Sequence, residues 1–112
     1  MSVVSNALVS FSIMENSRVR MSEVNAKLAK LDEYRGQAFQ CGDDGDWYGG
    51  NKVMESSLWG AAFNHVGLGW VARSLLAASW DRPESVQLFW EDQDDDTWTL
   101  YTLEDLKEYL GD

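Results

Sequence analysis

Cysteine, histidine and positive charge are scarce in this chain. Cys41 is the only cysteine, so no internal disulfide can form, which suits a reducing compartment. His65 is the only histidine. With no His-x-x-x-His and no Cys-x-x-Cys, no zinc-ligand set exists at a usable spacing. Residues 1–16 hold no early Lys or Arg, and Ser and Asn break their apolar positions, which makes a poor signal peptide and no membrane span. The expected location is cytoplasmic, with no membrane partner.

The signatures of several enzyme classes are also missing. There is no Gly-x-x-x-x-Gly-Lys-Ser/Thr loop and no Gly-x-Ser-x-Gly. Gly67-Leu68-Gly69 precedes a helical pattern but lacks the third glycine of a dinucleotide fingerprint. Cys41 and His65 form a nucleophile–base pair only on paper, since nothing local supports it. The chain is therefore expected not to be an enzyme and to carry neither cofactor nor metal.

What is present is acid and tryptophan. The 112 residues carry 19 Asp and Glu against 9 Lys and Arg, a net charge of −10. Residues 1–42 hold five basic and four acidic side chains, and residues 43–112 hold four basic and fifteen acidic ones. Such a surface repels nucleic acid and anionic lipid and attracts basic proteins, most strongly at low salt. Solubility alone is the plain alternative. The apolar fraction of 45% is that of a globular chain, and the length suits one domain, residues 1–112. Six tryptophans are many for this length, and Trp serves both cores and binding hot spots.

Periodicity predicts an α+β order. Residues 3–14 alternate as a strand, with Ala7, Val9, Phe11 and Ile13 on one face. Glu15-Asn16-Ser17 reads as a turn. A helix is expected over 22–34, with Val24, Leu28 and Leu31 as its apolar stripe and Gly36 as its stop. Residues 37–41 suit a short strand, and 58–65 a central strand apolar on both faces. A second helix spans 68–79, before the break at Pro83. Strands over 86–90 and 98–102 form an antiparallel hairpin with aromatic cross-strand pairs among Phe89, Trp90, Trp98 and Tyr101. Thr102 and Asp105 start a final helix in capping-box fashion, and Gly111 ends it. The first six elements match a ferredoxin-like βαββαβ pattern, an antiparallel sheet with two helices on one face, here extended by a C-terminal hairpin strand and short helix.

Two acidic loops stand out. Residues 42–52 place Asp43, Asp44 and Asp46 beside Trp47 and Tyr48, among four glycines. Aromatics in such a loop resemble the anchors at the centre of protein interfaces, or else fold back over a sheet edge. The second loop is Glu91-Asp92-Gln93-Asp94-Asp95-Asp96. Asp92, Asp94 and Asp96 alternate as in a calcium loop, but the sixth position is Thr97 and the twelfth Leu103, where Gly and a bidentate Glu are needed. A solvated turn or an acidic contact surface remains.

The expected partner-binding set is thus Asp43, Asp44, Asp46, Trp47, Tyr48, Glu91, Asp92, Asp94, Asp95 and Asp96. The expected role is that of a bacterial immunity protein or antitoxin that neutralises a basic toxin such as a nuclease. The alternatives are a nucleic-acid mimic, a homodimeric regulatory or scaffold subunit, and a small enzyme with a pocket near His65. Acids clustered in loops rather than spaced along a ridge weigh against the mimic.

Overall fold

The computed structural model describes residues 4–31, 36–42 and 55–111. Its elements are β1 (Val4–Ser12), α1 (Ser17–Leu31), β2 (Gln40–Cys41), β3 (Ser56–Asn64), α2 (Leu68–Ala77), a 3-10 turn (Pro83–Ser85), β4 (Gln87–Asp92), β5 (Thr99–Thr102) and α3 (Leu103–Leu110). The fold is α+β, with a five-stranded antiparallel sheet ordered β2-β3-β1-β4-β5. Each β-α-β unit has a strand of the other between its own two strands. The sheet nevertheless has five strands rather than the four of a bare ferredoxin-like unit, because β5 adds to the outer edge of β4.

One face of the sheet is covered. Val9 stands between Trp59 and Leu88, and Ala7 between Ala61 and Trp90. These residues share a face, and Ala7, Val9, Phe11, Trp59, Phe63, Leu88 and Trp90 are all buried. Met21, Val24 and Leu28 of α1, Val71, Ala72 and Leu75 of α2, and Leu103 and Leu106 of α3 complete the same core. Each helix turns its i, i+3/i+4 stripe to that face, as an amphipathic helix must. β3 lies between β2 and β1, as its apolar residues on both faces suggest.

Several expected boundaries shift for identifiable reasons. α1 begins at Ser17, not at residue 22. The Val19 N–H donates to Asn16 Oδ1 (3.3 Å) and the Arg20 N–H to the Asn16 carbonyl (2.9 Å). Asn16 is therefore a helix N-cap rather than a free turn residue. The earlier start brings Met21 into the buried stripe. β1 stops at Ser12, leaving Ile13 54% exposed instead of on the core face. His65 takes φ +62° immediately after β3, a left-handed conformation that ends the strand. The final helix has the expected start: Thr102 Oγ1 accepts from the Asp105 N–H (3.1 Å), and Asp105 Oδ2 accepts from the Thr102 N–H (2.9 Å).

The aromatic pairs expected across the hairpin do not form at opposed positions. Trp90 faces Thr99, Phe89 faces Leu100, and Leu88 faces Tyr101. The turn is long enough to place Trp98 before the ladder begins. Close ring pairs occur elsewhere, between Phe11 and Trp80 (5.0 Å) and between Phe39 and Phe63 (5.2 Å).

Candidate functional site: the acidic β4–β5 turn

β4 and β5 hold the second acidic loop at one corner of the sheet. The turn closes through the Asp95 N–H, which donates to the Asp92 carbonyl (2.9 Å). The Asp92 N–H donates in return to Asp95 Oδ2 (3.0 Å). Asp92 Oδ1 accepts from the Ser5 hydroxyl (2.7 Å) and from Trp90 Nε1 (3.0 Å). Glu91 Oε1 accepts from Asn6 Nδ2 (3.2 Å). Asp92 and Asp95 thus build the turn, and Glu91 steadies the strand beside it.

Asp94 and Asp96 are different. Both are exposed, and neither makes a hydrogen bond or ion pair with another described residue. Trp98 follows them at 43% exposure. Two unengaged carboxylates beside a large half-exposed aromatic give a surface suited to a cation carried on an apolar body. Among the described residues, no group of three or more His, Cys, Asp or Glu is placed to hold a metal ion.

The first acidic loop, with Asp43, Asp44, Asp46, Trp47 and Tyr48, lies outside the described residues. Its anchors are described. The Gly42 N–H donates to the Leu58 carbonyl (2.8 Å), and Ser56 pairs with Ser12 at the C-terminal end of β1. The β4–β5 turn sits at the other end, where Asp92 pairs with Ser5. The attachment points of the two acidic loops are therefore at opposite ends and opposite edges of the sheet.

His65 is exposed, and its Nδ1 lies 2.7 Å from Asn64 Oδ1. It lines neither of two open grooves. One groove, of about 660 Å³, runs between α2, the 3-10 turn and α3, past Leu76, Trp80, Pro83, Leu103 and Lys107. The other, of about 260 Å³, passes Gln37, Gln40, Gly60 and Phe63. No helix among the described residues is long and apolar enough to cross a membrane.

Two groups stand outside the expectations drawn from the sequence. Glu15 lies in a segment that reads as a turn, yet its side chain is fully buried and accepts from Arg20 Nε (3.3 Å), the Asp81 N–H (3.2 Å) and the Arg82 N–H. The other group is the face of the sheet that none of the described helices covers, where Leu8 and Leu100 are 41% and 48% exposed. Its signal lies in the sequence, where Leu58, Gly60 and Ala62 of β3 and Phe89 of β4 fall at the parity opposite the core residues. The chain matches no protein-family model, and no similar curated protein or solved structure was found.

Proposed function

We propose that this protein is an acidic protein-binding module that neutralises a basic partner, in the manner of an immunity protein or antitoxin acting on a cationic toxin such as a nuclease. The observation that carries this reading is the division of labour in the β4–β5 turn. Asp92 and Asp95 hold the turn, so Asp94 and Asp96 are presented to solvent with no cation among the described residues to satisfy them. The net charge of −10 extends that field and accelerates encounter with a basic surface. Trp98 supplies an apolar contact next to the charges. Inhibition would follow from steric occlusion, with no chemistry required of this chain. The interleaved β-α-β units support reading the scaffold as a ferredoxin-like core extended by β5 and α3.

The test is capture of partners from a lysate of the source organism at low salt. The expected result is a basic protein that elutes as salt rises and whose activity this chain blocks. Asp94→Asn with Asp96→Asn should slow its association and flatten the salt dependence. Recovery of the bait alone at every salt concentration would overturn the reading.

A further inference from the structure

Resting on that reading, we infer that the uncovered face of the sheet is the seat of the partner, and that it takes a basic amphipathic segment of another protein. Gly60, Leu8, Phe89 and Leu100 stand directly opposite one another across β3, β1, β4 and β5. Adjacent strands lie about 4.8 Å apart, so this row runs roughly 14 Å across the sheet. It is apolar throughout. Leu8 leans over Gly60, its Cδ2 lying 3.0 Å from where a Cβ on that glycine would sit. The glycine thus leaves a shallow floor that Leu8 only partly fills. Trp98, 43% exposed, precedes Leu100 by two positions on the side of the acidic turn. No described helix covers the row, and isolated exposed leucines need no explanation whereas a contiguous cross-strand row does.

Charge selects the occupant. None of the described strands contains a Lys or Arg. The described cations belong to the helical side: Arg18, Arg20, Lys27 and Lys30 on α1, Arg73 on α2, Arg82 before the 3-10 turn, and Lys107 on α3. Glu91 lies on this face, and the turn that carries the exposed Asp94 and Asp96 leaves the sheet at its β4–β5 corner. Among the described residues the face is therefore apolar along its middle row, and the charged side chain on it is acidic. A second copy would bring the same acids, and a further net charge of −10, to the interface. A segment with aliphatic residues on one side and Lys or Arg beside them matches both features.

The test is a titration of the isotopically labelled full chain with a synthetic peptide of alternating Lys and Leu, followed by amide and indole chemical shifts. A Glu/Leu peptide of equal length is the control. The expected result is saturable shifts centred on Leu8, Phe89, Glu91, Leu100 and the Trp98 indole, from the Lys/Leu peptide only. Leu8→Thr with Leu100→Thr should raise the peptide Kd about tenfold or more while keeping the dispersion of a folded spectrum. Threonine retains strand propensity at both sites, and Leu100→Thr alone serves if the pair unfolds. Shifts confined to residues 92–97, with affinity unchanged in the variants, would overturn the sheet face and leave the acidic-module reading standing. Equal binding of the Glu/Leu peptide would overturn the charge selection. Movement of the same amides with protein concentration alone would give the face to a second copy. No saturable binding at all would overturn the sheet-face inference, and the capture experiment decides the acidic-module reading separately.

Discussion

Asp92 accepts a 2.7 Å hydrogen bond from the Ser5 hydroxyl, fastening the mouth of the β4–β5 turn to the start of β1 across 87 positions of sequence. The same oxygen receives the Trp90 indole N–H at 3.0 Å. An aspartate run that looks uniform in sequence therefore contains residues with opposite duties. Asp92→Ala should lower unfolding stability by about 1–2 kcal/mol, because two donors lose a charged acceptor. Asp94→Asn and Asp96→Asn should each stay within about 0.5 kcal/mol of the parent, as surface changes do. Urea unfolding of the three variants checks this, and a large loss in Asp94→Asn would show that its carboxylate is engaged.

Legibility from sequence followed the range of the interactions. The capping box of α3 is built from Thr102 and Asp105, three positions apart, and both partners are visible in one short window. The strands and most helical stripes follow from periodicity, which is also local. Asn16 misled because the same side chain serves a turn or an N-cap, and only the direction of the following chain decides. Leu8 carries no periodic signal of its own, because Ser10 and Ser12 share its parity while Ala7, Val9 and Phe11 define the apolar face of the strand. The acidic turn could be located from its composition alone. Which of its carboxylates were already spent could not, since that depends on Ser5 and Asn6 in a distant strand.

Glu15 predicts a larger effect than any aspartate. Its side chain has no solvent exposure, and it joins the end of β1 to the segment that leads into β4. Removing it would leave the Asp81 and Arg82 N–H groups and part of the Arg20 guanidinium without an acceptor. Glu15→Ala should cost about 2–4 kcal/mol. Thermal and urea unfolding should both show the loss. A cost below ~1 kcal/mol would mean that water replaces the carboxylate readily.

Acid should expose the other half of the Arg20 cluster. The Arg20 hydrogen bond (2.6 Å) holds the Glu23 carboxyl below its ordinary value of 4.5; partial burial opposes the shift, and Ser79 assists it. A carboxyl whose folded pKa is depressed contributes stability that is fully present above the unfolded pKa. That contribution fades as pH falls through the folded pKa. Stability should therefore decline as pH drops below the ordinary glutamate range, and Glu23→Gln should flatten that part of the profile. Because the Glu23 side chain is 33% exposed, added salt should shrink the difference between the two proteins. Parallel profiles for parent and variant would remove this pair from the acid response.

The two tryptophans of the hairpin offer the sharpest separation of scaffold from surface. Trp90 is 4% exposed, faces the core and donates its indole N–H to Asp92. Trp98 is 43% exposed, lies just outside the β5 ladder and shares the parity of the uncovered face. Trp90→Ala should destabilise the fold by about 3–5 kcal/mol, the usual cost of emptying a large core site. Trp98→Ala should cost no more than about 1 kcal/mol. If Trp98 is a contact residue, its truncation should instead speed dissociation of a bound partner by an amount worth ~2 kcal/mol or more. The informative comparison is unfolding against dissociation in the same variant. A Trp98→Ala protein that unfolds as readily as Trp90→Ala would return that side chain to the core and remove the aromatic contact from the proposed surface.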